Sequence, residues 1–186
     1  MIKASVIGAT GYAGAELTRL LTAHPDVEIT HLVSHSYTGQ DINQIYKSFD
    51  GKFSKTLDEL DIDMLVRDSD CIFTSLPHAA GGEVIPQLYA GGKTVIDLSG
   101  DYRYNDASIY EKWYGASHPH PELLKKSVYG LPELHREEIK KARLIGNPGC
   151  YTTCSILALA PLAKAGIIDN SSIVIDAKSG STGAGR

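Results

Sequence analysis

The stretch Lys3–Gly14, with the sequence KASVIGATGYAG, decides the fold of this chain of 186 residues. Its mostly apolar first part, Lys3–Ile7, is typical of a buried strand. A glycine-rich turn then opens a helix with a leucine face, and the apolar segment Val27–Val33 predicts a second strand. Strand, turn, helix and strand make a βαβ unit. We therefore expect an α/β fold with a Rossmann-type, doubly wound and mainly parallel sheet.

The glycines of this turn are spaced G-x-x-G-x-x-G. Such spacing allows a tight turn and brings the backbone close enough for a pyrophosphate to reach the N-terminus of the next helix. The turn therefore favours dinucleotide binding, and the alternative is a glycine-rich turn without a ligand. The expected cofactor contacts in it are Gly8, Thr10, Gly11, Tyr12, Ala13 and Gly14.

The end of the second strand predicts which dinucleotide binds. A site that prefers NAD usually has Asp or Glu there, which binds the ribose 2′-hydroxyl. This chain has Ser34-His35-Ser36 instead, which offers hydroxyl groups to a 2′-phosphate and no carboxylate to repel it. The segment therefore favours NADP(H), with Ser34 and His35 as contacts. The alternative is that these polar residues form only a solvated loop.

Two further apolar segments, Cys71–Ser75 and Thr94–Leu98, predict strands that run into polar loops. Because ligands bind beyond the carboxyl ends of parallel strands, both loops and the glycine-rich turn should line one crevice. Arg103, in the second loop, is suited to bind a phosphate or carboxylate, with a surface salt bridge as the alternative. In the first loop, Pro77 is an expected cofactor contact, and His78 either contacts a ligand or caps a helix.

The stretch Gly146–Thr153, GNPGCYTT, carries the candidate nucleophile. A Pro-Gly turn precedes Cys150, so this cysteine should lie in the first turn of the apolar helix that follows. Free N–H groups and the positive end of the helix dipole stabilise an anion there, and a thiolate is such an anion. Cys154, four residues later, could act as a resolving thiol but is expected to pack, as is Cys71 in its strand.

Composition argues against several classes of partner. Lys+Arg number 18 and Asp+Glu 22, so the net charge is −4 and no nucleic-acid partner is expected. No apolar run approaches the roughly eighteen residues of a membrane span, so no membrane partner is expected. Three cysteines, an odd number, argue for the reducing cytoplasm. The pair His118 and His120 has no further ligands to complete a metal site and is expected to form an exposed turn.

The last part of the chain predicts an incomplete second domain. The segment Ser172–Ala177 is expected to be a strand that runs into the glycine-rich residues 178–186. One helix and one strand after residue 149 are too little for a core of their own, so we expect the chain to be cut inside an α+β catalytic domain. The expected division is an NADP-binding Rossmann domain at residues 1–149 and the beginning of a catalytic and dimerisation domain at residues 150–186.

Three classes of protein fit these features: a nicotinamide-dependent enzyme with a covalent cysteine, a hydrolase or acyltransferase with a cysteine nucleophile, and a dinucleotide-sensing module without chemistry. The glycine-rich turn counts against the second class, and the setting of Cys150 counts against the third. A cofactor and a thiolate together indicate one chemistry. The thiolate attacks an activated acyl group to form a thioester, which hydride from NADPH reduces to an aldehyde.

The ordered motifs resemble those of a known family. They are GATGYAG at Gly8–Gly14, LPH at Leu76–His78, DLSGDYR at Asp97–Arg103, YGLPE at Tyr129–Glu133, GNPGCY at Gly146–Tyr151 and the final stretch Ser179–Arg186. Together they resemble the N-acetyl-gamma-glutamyl-phosphate reductases of arginine biosynthesis over essentially the whole chain. The aspartate-semialdehyde dehydrogenases, which share the first turn and the mechanism, are the alternative. The motif Asn-Pro-Gly-Cys-Tyr favours the N-acetyl-gamma-glutamyl-phosphate reductases.

The resemblance implies NADPH-dependent reduction of N-acetyl-L-glutamyl 5-phosphate to N-acetyl-L-glutamate 5-semialdehyde. It implies a small-molecule acyl phosphate as the partner and a homo-oligomer for the full-length parent enzyme. Cys150 matches the nucleophile of the family, and the substrate contacts implied are Arg103, Asn147 and Ser179.

Two positions depart from the family pattern. The family uses a histidine general base C-terminal of the cysteine, and no histidine follows His135 in this chain. The 186 residues are therefore expected to lack the base, and alone they could be no more than a dinucleotide-binding module. His35 stands near the expected 2′-phosphate, where arginine is more usual, which weakens the expected preference for NADP without reversing it.

Overall fold

A computed structural model describes residues 1–78 and 80–185. Ala79 and Arg186, the last residue of the final motif, lie outside the described residues. The described part contains one six-stranded sheet in the order β2-β1-β3-β4-β6-β5, and all its neighbouring strands are parallel. The strands are β1 (Ile2–Ile7), β2 (Val27–Val33), β3 (Cys71–Thr74), β4 (Thr94–Asp97), β5 (Val128–Tyr129) and β6 (Leu144–Gly146). The predicted fold class is confirmed.

Helices connect the strands in the manner of a doubly wound fold. In the described residues they are α1 (Tyr12–Thr22), α2 (Ile42–Ile45), α3 (Ile62–Asp68), α4 (Val84–Ala90), α5 (Ala107–Tyr114), α6 (Pro121–Leu124), α7 (Pro132–Ile139) and α8 (Cys150–Lys164). Short 3-10 turns lie at Lys47–Phe49 and Ser181–Ala184. None of the helices described here has both the length and the apolar character needed to cross a bilayer.

The register of the sheet aligns four strand ends in one row. Ile7 of β1 pairs with Thr74 of β3, Thr74 pairs with Asp97 of β4, and Asp97 pairs with Gly146 of β6. Since all four strands point the same way, the loops that follow them emerge side by side. This edge, the carboxyl edge of the sheet, is where the sequence predicts the crevice.

The core has two layers, one on each face of the sheet. Successive residues of β1 supply both, with Val6 packed into one layer and Ile7 into the other. A strand that is apolar on both faces must be covered on both, which is characteristic of parallel sheets flanked by helices. The larger layer also contains Tyr102 and Tyr110, so the loop after β4 and helix α5 are anchored in the core.

Two glycines of the first turn are required by close backbone contacts. Gly8 has a φ of 79°, and a Cβ on it would lie 2.2 Å from the carbonyl oxygen of Ser75. A Cβ on Gly14 would lie 2.2 Å from the carbonyl oxygen of Gly8, so α1 packs directly on the turn. Gly11 differs, because its nearest such contact is an ordinary 3.6 Å. The turn therefore needs Gly8 and Gly14 for its own packing.

The C-terminal part corrects two expectations. The predicted strand Ser172–Ala177 is wrong: these residues form no strand, and Val174 is 90% exposed. A strand needs a neighbour to pair its backbone groups, and no described strand lies beside this segment. The expectation that Cys154 packs is also wrong, since Cys154 is exposed and α8 has no fully buried residue. The apolar sequence of α8 is only partly covered by the described residues.

Replacing Gly14 with Ala should lower the free energy of unfolding by about 1–3 kcal/mol, because the new methyl group meets a backbone carbonyl that cannot move without distorting the turn. Gly11→Ala, in the same turn, is the matched control and should cost under about 1 kcal/mol, the loss expected at a helix N-cap. Urea denaturation followed by circular dichroism measures both. Equal losses would contradict the packing role of Gly14.

Cys71 should react much more slowly with alkylating agents than the exposed thiols. Burial raises the pKa of the Cys71 thiol to about 11, with a smaller contribution from Asp70. Only the thiolate reacts, so at pH 8 roughly 0.1% of Cys71 is reactive, and its rate should rise about tenfold per pH unit up to pH 10. Iodoacetamide labelling followed by peptide mass spectrometry measures this. The same rate at Cys71 and Cys154 at pH 8 would contradict it.

Candidate active site at the carboxyl edge of the sheet

The glycine-rich turn is fixed to the end of β2 by backbone hydrogen bonds. The N–H groups of Gly8 and Ala9 both donate to the carbonyl oxygen of Val33, each at 3.0 Å. Gly11 is the N-cap of α1 and has no side chain to cap it, and the first turn of α1 contains no acidic residue. The N-terminus of α1, with the exposed residues Tyr12 and Ala13, can therefore receive an anion.

Ser34 and Thr10, two of the predicted cofactor contacts, are bonded to each other. Their hydroxyl oxygens lie 2.8 Å apart, and Ser34 is only 2% exposed. The carbonyl oxygen of Ser34 accepts a bond from Thr38, and that of Thr10 accepts one from Tyr46. These residues thus hold the turn and the loop after β2 together, while the neighbouring His35 is exposed.

Asp97, at the end of β4, organises the loop that carries Arg103. Its carboxylate is fully buried and accepts hydrogen bonds from the Thr74 hydroxyl at 2.8 Å, the Ser99 N–H at 3.0 Å and the Ser99 hydroxyl at 2.8 Å. The Ser99 hydroxyl oxygen in turn accepts a bond from the N–H of Asp101 at 3.2 Å. Sequence reasoning missed this role of Asp97, although an acidic residue ending an apolar strand was a visible signal.

Arg103 lies against the turn that delivers Cys150. Its Nε donates to the carbonyl oxygen of Asn147 at 2.8 Å, and its Nη2 donates to that of Leu98 at 3.4 Å. Its Nη1 lies 3.4 Å from the point where a Cβ of Gly149 would stand. None of the described carboxylates forms an ion pair with Arg103, so its guanidinium keeps its charge available for a ligand, contrary to the salt-bridge alternative.

Cys150 is the first residue of α8, as predicted, and its side chain is exposed. Gly149 is the N-cap and brings no capping side chain, and the first turn contains no acidic residue. No side chain therefore caps the N–H groups in the first turn of α8, which have no carbonyl partner within the helix. Asn147, another predicted site residue, donates its N–H to the carbonyl oxygen of Asp97 at 2.7 Å, which joins this turn to β4.

A cluster of aromatic and ionisable side chains lies behind the Arg103 loop. His78 Nδ1 is 2.7 Å from Asp101 Oδ1, and the His78 ring stacks on that of Tyr114 with centroids 4.4 Å apart. Tyr110 adds its ring to the stack, 4.7 Å from Tyr114. Sequence reasoning assigned no functional role to the helix that ends at Tyr114, because nothing local links it to residues 78 or 101.

His118 corrects the expectation of an exposed turn, because it is buried against the same cluster. Its Nδ1 accepts a bond from the N–H of His120 at 3.0 Å, and burial lowers the pKa of His118. Burial, followed by the nearby carboxylates of Asp97 and Asp101, raises the pKa of Tyr102. Within the described residues, no three His, Cys, Asp or Glu side chains are grouped so as to hold a metal ion.

The carboxyl edge therefore gathers most of the predicted site residues. Those brought together are Gly8, Thr10, Gly11, Tyr12, Ala13, Gly14 and Ser34, with His35 and Pro77 on exposed loops beside them, and Arg103, Asn147 and Cys150. Ser179 is the exception. It lies in the exposed C-terminal segment, where its hydroxyl donates to the carbonyl oxygen of its neighbour Gly180.

Comparison with protein families gives two matches. The model described as "Semialdehyde dehydrogenase, NAD binding domain" matches residues 3–142, and the model described as "Semialdehyde dehydrogenase, dimerisation domain" matches residues 150–186. The fold agrees with solved structures. Aspartate semialdehyde dehydrogenase II of Vibrio cholerae superposes with a TM-score of 0.65 at 20% identity, over 89% of this chain and 47% of that one. Aspartate semialdehyde dehydrogenase of Candida albicans, described with NADP, superposes with a TM-score of 0.61 at 18% identity, over 90% of this chain and 48% of that one.

Curated relatives are much closer in sequence. An N-acetyl-gamma-glutamyl-phosphate reductase of Acetivibrio thermocellus is 55% identical over 186 residues, all of this chain and 54% of the relative. Another relative, from Nitrosopumilus maritimus, is named as a LysW-L-2-aminoadipate/LysW-L-glutamate phosphate reductase. It is 50% identical over 99% of this chain and 53% of its own length. The chain spans about half the length of the curated relatives it matches. It belongs to the semialdehyde dehydrogenase family.

Proposed function

We propose that this chain carries the cofactor site and the nucleophile of an NADPH-dependent acyl-phosphate reductase, which converts N-acetyl-L-glutamyl 5-phosphate to N-acetyl-L-glutamate 5-semialdehyde in arginine biosynthesis. One observation carries the proposal. Arg103, whose guanidinium has no ion pair with a described carboxylate, lies against the turn that begins α8 at Cys150. An anion clamp beside a thiol at a helix N-terminus fits attack on an anionic, activated acyl group.

The glycine-rich turn fits a dinucleotide. Gly8 and Gly14 have no room for a Cβ, so the backbone packs tightly, whereas Gly11 meets only one ordinary contact and leaves the N-terminus of α1 approachable. A pyrophosphate bound there would be stabilised by the free N–H groups. The row of strand ends leads from this turn past β3 and β4 to Cys150. The family match to an NAD-binding domain supports this assignment.

NADP rather than NAD is proposed from the loop after β2. Ser34 is occupied by its bond to Thr10, so the exposed residues His35 and Ser36 remain to meet a 2′-phosphate. Neither is acidic, and a protonated histidine or a hydroxyl donor suits a phosphate. A structural neighbour, the Candida albicans aspartate semialdehyde dehydrogenase, is described with NADP.

In the proposed mechanism the Cys150 thiolate attacks the acyl carbon, the carbon–sulfur bond forms, and the acyl–oxygen bond breaks to release phosphate. Arg103 neutralises an anionic group of the substrate, either the phosphoryl group or the carboxylate. A reduced nicotinamide cofactor held at the glycine-rich turn would supply the hydride for reduction of the resulting thioester. The first-turn N–H groups of α8 stabilise the oxyanion of the tetrahedral species, about 3–4 kcal/mol for one well-placed donor. The thiolate then departs and the aldehyde is released.

The identity of the acyl group is proposed from the curated relatives. The names of the relatives indicate two substrates, the small N-acetylglutamyl phosphate and LysW-linked aminoadipyl or glutamyl phosphates. An aspartyl phosphate is the third possibility, from the structural neighbours. Running the reaction backwards with NADP+, phosphate and each semialdehyde separates the three. Exclusive turnover of N-acetylglutamate semialdehyde is expected, and turnover of aspartate semialdehyde alone would contradict the proposal.

The same proposal assigns the assembly and the location. Residues 1–149 form the NADP-binding domain, residues 150–186 begin the catalytic and dimerisation domain, and the enzyme is a homo-oligomer of the cytoplasm. The dimerisation-domain match supports the assignment of the second part. The three cysteines are all free, which agrees with a reducing compartment. Asn147 and Ser179 are proposed as further substrate contacts.

Replacing Cys150 with Ser in the full-length gene product should lower kcat by roughly a thousandfold or more, because the nucleophile of the covalent step is removed. NADPH binding, measured by fluorescence, should stay unchanged, since the dinucleotide turn lies at the other end of the row. Cys154→Ser, one helical turn later, is the matched control and should keep its activity. Full turnover by the Cys150 variant would move the nucleophile elsewhere.

Replacing His35 with Asp should raise the KM for NADPH about tenfold at low ionic strength and leave the KM for NADH nearly unchanged, because the new carboxylate repels the 2′-phosphate only. His24→Asp makes the same change of charge on an exposed residue that precedes β2, at the opposite edge of the sheet, and should affect neither cofactor. Steady-state kinetics with both cofactors measures this. An equal rise for NADPH and NADH would contradict a 2′-phosphate contact at His35.

A further inference from the structure

Two polar side chains converge on Gly100, in the loop after β4. A Cβ on this glycine would lie 3.0 Å from Nη1 of Arg103 and 3.2 Å from the hydroxyl oxygen of Tyr114. Gly100 has a φ of 107°, a left-handed conformation that favours glycine. The absence of a side chain here lets the guanidinium and the phenol approach the same point from two different elements, the loop and α5.

The Tyr114 hydroxyl is not used by the fold. The ring is half-buried and packs against Tyr110 and Tyr104, which a phenylalanine ring would do equally well. None of the hydrogen bonds between described residues involves this hydroxyl. A phenol that lies beside a cation without a protein partner is a donor left for a ligand.

The orientation of Tyr114 is held by His78, which is itself in contact with Asp101. The ring of His78 stacks on that of Tyr114, 25° from parallel. His78 is itself held by Asp101, whose side chain is only 3% exposed. Asp101 and Arg103 belong to the same loop, so the carboxylate that holds His78 and the guanidinium beside Tyr114 are fixed by one short segment. The arrangement is contiguous from Asp101 through His78 and Tyr114 to Arg103.

We infer that Tyr114 is a further substrate-binding residue. Its hydroxyl donates to the same oxyanion that Arg103 binds, which is a phosphate or a carboxylate. His78 and Asp101 act as positioning residues for the Tyr114 ring. This inference rests on the proposed function and deepens it. Arg103 uses Nε and Nη2 on backbone carbonyls, which leaves Nη1 facing Gly100 and Gly149. One guanidinium edge alone binds an oxyanion weakly, and a neutral donor beside it completes the site.

The test is equilibrium binding of inorganic phosphate and of N-acetylglutamate to the full-length gene product by calorimetry. Tyr114→Phe should raise the Kd of the contacted oxyanion roughly tenfold, the usual effect of a hydrogen bond to a charged group. Weakened phosphate binding assigns Tyr114 to the phosphoryl group, and weakened N-acetylglutamate binding assigns it to the carboxylate. Tyr89→Phe, on the remote helix α4, is the matched control and should change neither.

His78→Ala tests the positioning role. On its own, this substitution should raise the Kd of the oxyanion that Tyr114 contacts. Combined with Tyr114→Phe it should cause no further rise in Kd, because both substitutions remove the same contact. NADPH affinity should stay within twofold of the wild type in all variants, which separates this effect from general disruption of the site. Additive effects of the two substitutions would overturn the positioning role of His78.

The outcomes also separate this inference from the proposed function. If Tyr114→Phe binds both oxyanions like the wild type, the inference fails, and acyl-phosphate turnover by the wild type would show that the function survives. If the wild type binds neither oxyanion, the inference fails as well. If binding depends on Tyr114 but the wild type reduces no acyl phosphate, the oxyanion site stands and the proposed function fails.

Discussion

The buried carboxylate of Asp97 is the interaction on which the carboxyl edge depends. It accepts three hydrogen bonds, one from β3 and two from Ser99. The backbone carbonyl oxygen of Asp97 accepts a further hydrogen bond, from the N–H of Asn147 after β6. A buried carboxylate without these donors would destabilise the fold, so the loops that supply the donors are held close to Asp97. One residue thereby fixes the spacing between β3, the Arg103 loop and the turn before Cys150.

The fold was predictable because its signals are local. The first βαβ unit follows from a stretch of thirty-odd residues, in which apolar runs, glycine spacing and a helical leucine face agree. The strands β3 and β4 are short apolar runs ended by polar loops, which is also a local pattern. The segment Ser172–Ala177 has the same apolar pattern, yet forms no strand. Whether an apolar run becomes a strand depends on a neighbouring strand, which its own sequence does not reveal.

The site was predictable only in part. The positions of Arg103 and Cys150 in the fold could be predicted because Arg103 follows the end of a strand and Cys150 begins a helix. At the end of β2 the sequence predicted both Ser34 and His35 as cofactor contacts. Only the packing distinguishes them, because the Ser34 hydroxyl is buried and the His35 ring is exposed. Tyr114 and Asp101 were missed as a pair because the contact runs through His78. Such contacts join residues far apart in sequence and leave no periodic signal.

The turn before Cys150, residues 146–149, packs against the loops of the sheet rather than against the helix that it begins. A Cβ on Gly146 would lie 2.1 Å from the carbonyl oxygen of Tyr102, so the end of β6 passes directly against the Arg103 loop. The guanidinium then lies against Gly149, one residue before the thiol. In contrast, the body of α8 has no buried residue. Cys150 is therefore positioned by the same close-packed loops that hold Arg103, and its position relative to that guanidinium does not depend on how the rest of α8 is covered.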